Sequence, residues 1–318
     1  MDSEISNNPA LQEVLNTLEV DRKKIASTYT VCYTVFGIAA LLIVGGLLIG
    51  AATVAIILSL IPIIVGIVML FQIDGDAQKY KVAYKMNVVA TALKKINESL
   101  TFVPQSGLTE GEFIDSDLFT TEPDRYKTQD LISGTVDKTS FSFAEVHAEY
   151  KTETQTKNGT RTEWHTIFKG IIFVADFNKN FTVSTVVRPK SFGNTVGAWF
   201  SKNIFSFGNT EIVQLENTNF DNQFVTYSRN QIEARYILTP AMMERILDLN
   251  NKSDETISLS FISSKMYIAF PLSNNYFEAP IHTSLLVPDL LTDDLSIVQF
   301  MHDIVHELDL NTRIWGKE

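Results

Sequence analysis

Few residues in this chain have the type and spacing that chemistry requires. His302 and His306 lie four apart in His-Asp-Ile-Val-His, a separation that puts two imidazoles on one helical face within reach of one metal ion. A zinc-protease motif would carry Glu where Asp303 stands, and no third ligand is evident, although Glu307 and Asp309 follow closely. The plainer reading is two histidines on the surface of an amphipathic helix. A nucleophilic hydrolase would need Gly-x-Ser-x-Gly at a strand-to-helix turn, and the chain has none. It also lacks the glycine-rich phosphate loop and the dinucleotide fingerprint. Cys32 is the single cysteine and sits in an apolar run, so it offers neither a disulfide nor an accessible thiol. No catalytic residue and no cofactor is expected.

Two further groups suit binding. In the glycine-rich stretch 187–209, Phe192, Trp199, Phe200, Phe205 and Phe207 alternate with Lys202 and other cations. Aromatic rings beside lysines fit a bilayer interface, so this loop is a candidate contact with membrane or with a membrane partner. The alternative is a loop that caps the core. Glu233 and Arg235, with Glu244 and Arg245 across Thr239-Pro240, form a dense charged group. Such groups are usually structural ion pairs, and a ligand or scaffold site is the other reading.

The elements that must position these residues begin with residues 31–71. These 41 positions contain no Asp, Glu, Lys, Arg, His, Asn or Gln. One helix crosses the bilayer in about 20 residues, so the run fits two spans. Gly45, Gly46 and Gly50 place the turn between Val44 and Thr53. Small residues such as Gly37, Ala39, Ala40, Ala51, Ala52 and Ala55 would let the two helices approach closely. Arg22, Lys23 and Lys24 precede the run and Lys79, Lys81 and Lys85 follow it, so the positive-inside rule puts both ends in the cytoplasm. The Asn-x-Ser/Thr triplets at Asn97, Asn158, Asn180 and Asn251 are then accidental.

Residues 9–28 read as an amphipathic helix and 76–99 as a helical stalk. The stalk is slightly basic, whereas residues 101–318 hold 29 Asp+Glu against 18 Lys+Arg. That acidity argues against nucleic acid, whose phosphates need clustered cations. From Thr101 the pattern turns to strand, with Phe113–Lys127 an acidic loop with short structure and Leu131–Val136 the first long strand. Phe141–Thr156 and Thr160–Phe177 flank Asn158-Gly159 as a hairpin, and Ile171–Val174 is apolar enough to be covered on both faces. Further strands are expected at Phe181–Arg188, Glu211–Leu215, Phe224–Tyr227 and Ile232–Leu238. Thr239-Pro240 opens a helix to Asn250, Ile257–Phe261 and Met266–Phe270 pair about Ser263-Ser264-Lys265, and a helix after Thr292-Asp293-Asp294 closes the chain.

Several of these strings, in order, resemble a bacterial family, the domain of unknown function numbered 3137. They are Leu131-Ile132-Ser133-Gly134, Phe143-Ala144-Glu145-Val146-His147-Ala148, Phe168-Lys169-Gly170 with Ala175-Asp176-Phe177-Asn178-Lys179, and Gln231-Ile232-Glu233-Ala234-Arg235-Tyr236. Met243-Glu244-Arg245, Ser260-Phe261 and Asn311-Thr312-Arg313-Ile314-Trp315 continue the likeness, which spans roughly 75–318. The resemblance implies a membrane hairpin followed by one soluble domain, and it brings no catalytic residues.

The expectation is therefore an α+β chain, with an N-terminal transmembrane helical hairpin followed by a mainly antiparallel cytoplasmic sheet domain with a few helices. Its parts are 1–28, an amphipathic helix; 29–72, two spans at about 29–48 and 51–71; 73–100, a stalk; and 101–318, the sheet domain. The functional reading is a non-enzymatic binding or scaffold domain on the inner membrane. Its partners are the lipid bilayer and a protein in the membrane or at its inner face, and a homo-oligomer is compatible. A membrane-bound metal-dependent hydrolase and a structural subunit of a larger assembly are the alternatives.

Overall fold

The computed structural model of the chain describes residues 9–156, 159–177, 180–190 and 211–310. It has two compact units. One comprises residues up to 92 with 277–293, and the other residues 93–276 with those from 294 onward.

The first unit is helical. Helix α1 runs unbroken from Pro9 to Leu48 and α2 from Ala52 to Tyr84. Both are long and apolar enough to cross a membrane. No glycine interrupts α1 before Gly37, so the backbone passes from its polar to its apolar half without a break. Along that transition Thr28, Thr30 and Thr34 return their hydroxyl protons to carbonyls three or four residues back, so these polar groups need no other acceptor. The turn falls at Ile49–Ala51, where Gly50 takes φ +74°. Close approach explains the small residues on either side: a Cβ added at Gly46 would lie 2.1 Å from that of Ala55. Helix α2 continues through a π-helical turn at Lys85–Val89 into α3, Ala90–Ile96, without a break in the helical path.

The returning segment 277–293 is held on these helices by a buried polar clamp. Glu19 and Arg22 pair at 2.8 Å. Arg22 donates to the Ile281 carbonyl at 2.7 Å, and Glu19 accepts from the Leu285 amide at 2.9 Å and the Ser284 hydroxyl at 3.2 Å. Tyr80 donates to the Pro280 carbonyl at 2.6 Å, and Lys85 stands 3.5 Å from Glu278.

The second unit is built on one antiparallel sheet of nine strands among the described residues, ordered β1-β2-β3-β4-β9-β8-β5-β7-β6. These are β1 Thr101–Val103, β2 Arg125–Val136, β3 Thr139–Thr156, β4 Gly159–Asp176 and β5 Thr185–Pro189. They continue with β6 Glu211–Val213, β7 Phe224–Ser228, β8 Ser258–Ile262 and β9 Lys265–Pro271. The expected β3–β4 hairpin is present, with Thr156 opposite Gly159, and Ile171–Val174 is buried throughout at the sheet's centre. Helix α4, Glu110–Asp115, leads into the stretch read as an acidic loop with short structure, and a reciprocal capping box between Thr109 and Glu112 starts it.

Strand alternation assigns each side chain to one of two cores. One face presents Val146, Ala148, Ile172, Val174, Tyr267 and Ala269 to Leu108, Phe113, Leu118 and Phe119. On the other face lie Phe141 and Phe270, which meet His302 and Phe300 of the last helix, α8, Thr292–Glu307. The first core is pinned by Arg188, which is buried and donates to the carbonyls of Asp117 and Leu118 at 3.3 and 2.7 Å. Burial pushes its guanidinium down to about 9, still charged at neutral pH. Ser260 adds a hydrogen bond to the Ser116 carbonyl. Arg188→Ala should lower stability by about 3 kcal/mol, because the buried Leu118 carbonyl and the half-buried Asp117 carbonyl lose a charged donor and a cavity opens. A thermal melt of the detergent-solubilised chain unchanged within a degree would refute this.

Three sequence expectations shift. Residues 232–238 are not a strand: after α5, Thr218–Gln223, helix α6 spans Gln231–Ile237, followed by α7, Pro240–Lys252. Asn230 caps α6 by accepting from the Ile232 and Glu233 amides, and Glu233, Ala234 and Ile237 are buried while Ile232 is exposed, a helical rather than alternating pattern. Strand β5 begins at Thr185 instead of Phe181, since Phe181 packs against Phe177 and Phe261 ahead of the strand. Strand β2 starts at Arg125, six residues before Leu131, because a bulge between Gln129 and Ile132 lets the pairing continue past Asp130.

Candidate binding cleft

Neither imidazole of the His-x-x-x-His pair is presented to a metal by a third ligand. The rings of His302 and His306 are 6.2 Å apart and steeply inclined. Nδ1 of His302 lies 3.2 Å from Asp303, and Nε2 lies 3.2 Å from the Asn97 amide nitrogen, which also donates to Thr135. Those partners assign Nδ1 as the protonated nitrogen and Nε2 as an acceptor. Among the described residues no group of three or more His, Cys, Asp or Glu is arranged to hold a metal ion.

The charged group near Thr239-Pro240 is divided among separate attachments. Glu233 is buried and accepts from the Thr182 amide and hydroxyl and from the Val183 amide, tethering the chain before β5. Arg235 donates to the Gln214 carbonyl at 3.3 Å. Arg245 pairs with Asp309 at 3.0 Å, and Glu244 is exposed. The aromatic and lysine-bearing positions Phe192, Trp199, Phe200, Lys202, Phe205 and Phe207 lie outside the described residues.

The structure brings together a different set. On β2, β3 and β4, Lys127 lies opposite His147, and His147 opposite Lys169, so the three form one row across three adjacent strands. In the next row of the same face, Gln129 lies opposite Glu145 and Glu145 opposite Ile171. Residues 272–276, which follow β9, cross beside these rows as a strap. The strap is fastened by the Leu272 amide to the Lys169 carbonyl at 3.2 Å and by Lys169 Nζ to the Ser273 carbonyl at 3.2 Å. The Tyr276 amide donates to Glu145 at 2.6 Å, and Gln129 donates to the other carboxylate oxygen at 3.1 Å. Between strap and sheet is a cleft of about 250 Å³, lined also by Asn274 and Asn275.

Two bulges make this row. Below the hairpin tip β3 and β4 pair in one register as far as Glu149–Thr166, and a bulge at Ala148/Glu149 then shifts it by one residue. Without that shift His147 would face Phe168 instead of Lys169. The bulge in β2, with Asp130 at φ +59°, likewise brings Lys127 rather than Thr128 opposite His147. Such extra residues re-aim side chains and recur beside functional sites. His147 and Lys169 stood inside the strings that carried the family resemblance, but nothing in the linear spacing joined them to Lys127.

Fold and cleft together define an α+β protein with a pair of long apolar helices and a large antiparallel sheet that carries a polar, cation-lined cleft. Residues 166–310 match the family described as Protein of unknown function (DUF3137), the family indicated by the sequence strings. The match begins within β4, narrower than the span of those strings. Among solved structures the chain is similar to the mycobacterial trehalose monomycolate transport factor A, TtfA, at 8% identity and a TM-score of 0.37, over 69% of this chain and 93% of that one. No curated protein matches the chain.

Proposed function

We propose that the chain is a membrane-anchored binding domain. Its helical hairpin spans the bilayer with both ends in the cytoplasm, and the sheet unit displays its cleft there to a ligand or partner. The observation that carries this reading is the apolar surface of the hairpin. Leu41, Leu48, Ile49, Ile61 and Phe71 are each at least two-thirds exposed or close to it, at 73, 83, 79, 66 and 80%. A water-soluble chain seldom exposes so continuous an apolar patch. The apolar stretches of α1 and α2, about 18 and 20 residues, rise roughly 27 and 30 Å, which suits the hydrocarbon core. The flanking lysines support the orientation. Lys23, Lys24 and Lys79 are exposed, and Lys24 stands 3.8 Å from Asp76 across the two helices.

The single native cysteine makes the test direct. In a Cys32→Ser background, Ile49→Cys in the turn should react with a membrane-impermeant maleimide on intact cells, and Ser264→Cys in the sheet unit should react only after lysis. Extraction of the chain into the soluble fraction by alkaline carbonate, or the reverse labelling pattern, would overturn the reading.

A further inference from the structure

We propose that the cleft between the row Lys127-His147-Lys169 and the strap 272–276 binds a phosphate group borne on a small hydroxylated carrier. This deepens the reading of the sheet unit as a binding domain and rests on it. Lys127 and Lys169 each lie directly opposite His147, so two ammonium groups flank one imidazole whose ring nitrogen can donate to an anion held between them. Among the described residues Lys127 has no ion-pair partner, and Lys169 spends one of its three donors on the Ser273 carbonyl. His147 has Glu149 at 3.8 Å. The other facing acid, Glu145, already accepts from the Tyr276 amide and the Gln129 side chain on separate oxygens, so its charge is partly answered within the protein.

Three strands span about 10 Å from the first to the third, and lysine stems are long and flexible enough for both ammonium groups to converge above the central imidazole. An anion with several oxygens and more than one charge can engage all three, whereas a single carboxylate meets one or two. The amides of Asn274 and Asn275 can both donate and accept, which suits hydroxyl groups on the carrier. A cleft of about 250 Å³ is larger than phosphate alone and smaller than most drug-sized sites, which points to a carrier of a few carbons, such as glycerol. The domain around it is strongly acidic, so a local cationic row is not a consequence of composition.

The test uses the full chain in neutral detergent at constant ionic strength, titrated with inorganic phosphate and with glycerol phosphate, and in parallel the chain in nanodiscs of phosphatidylglycerol or of phosphatidylcholine. Glycerol phosphate should bind saturably and more tightly than phosphate. Lys127→Gln, which leaves the strap's fastenings intact, should weaken it severalfold, and Lys127→Gln with Lys169→Gln at least tenfold while the circular dichroism stays that of the folded chain; Lys265→Gln, a lysine elsewhere, should have no effect. Loss of glycerol phosphate affinity in phosphatidylglycerol discs alone would identify the lipid headgroup as the source, and equal affinity in both discs a free metabolite. If wild type binds neither soluble probe saturably, or the folded double variant binds as well as wild type, the proposal is wrong. The detergent titration does not depend on where the chain resides, so its failure leaves the membrane reading to its own labelling test.

Discussion

Gly170→Ala is expected to lower the stability of the sheet unit by about 4 kcal/mol, and Gly170→Val to prevent its folding. Gly170 is buried in the middle of β4 with φ +152°, opposite Pro271 of β9. A Cβ at this position would lie 2.1 Å from the Phe270 carbonyl oxygen and 2.8 Å from the Leu272 amide nitrogen. Both are backbone atoms, so no side-chain rotation relieves the clash. The β4–β9 pairing must open instead, and with it the Leu272–Lys169 bond that fastens the strap. Gly111 in α4 is the internal control: an added Cβ meets nothing within 4 Å, and alanine there should stabilise by roughly 0.5 kcal/mol through helix propensity. Thermal melts of the two alanine variants that coincide would show that the backbone gives way more easily than this geometry implies.

Glu19→Ala should release the segment 277–293 from the helical unit, at a cost of about 3 kcal/mol, because it leaves the Arg22 guanidinium buried without its carboxylate. Acid should do the same to the wild-type protein. The hydrogen bonds from Arg22 foremost, aided by the Leu285 amide and opposed by burial, hold the Glu19 carboxyl down at about 2 against an ordinary 4.5. A carboxyl depressed on folding stabilises fully above its unfolded value and loses that contribution as pH falls, here between about 4.5 and 2. Burial pushes Tyr80, at the Pro280 carbonyl, up to about 12, so its contribution is present below about pH 10 and is lost as pH rises through 12. Hydrogen exchange in residues 281–286, corrected for intrinsic rate, should accelerate below pH 4 in wild type and be fast and independent of pH over that range in Glu19→Gln. Acid-insensitive protection in wild type would rule out the clamp as the fastening.

Local signals in the sequence were strong wherever the deciding interaction was itself local. The helix after Thr239-Pro240 starts where expected because the Thr239 hydroxyl accepts from the Met242 amide and Pro240 needs no donor. The turn at Gly50 and the Ser263 turn of the β8–β9 hairpin follow from conformations that few residues tolerate. Residues 232–238 suggest a strand because Ile232, Ala234 and Tyr236 alternate with Glu233 and Arg235 over a stretch too short to separate the two periods, and the Asn230 cap decides for helix. The clamp was hidden for another reason. Arg22 and Lys85 read as flanking charges of a membrane span, and their partners lie some two hundred residues further along the chain.

The uncharged run of residues 31–71, the paired β3–β4 segments and the absence of catalytic motifs were determined by composition and spacing alone, since hydrophobic periodicity and turn chemistry act over a few residues. The cleft was decided by the tertiary structure. Lys127, His147 and Lys169 share a row only because one extra residue in β2 and another in β4 each shift the pairing by one position. A tight turn sets register at its own end, but a bulge resets it midway, and where a bulge forms depends on what each face must bury.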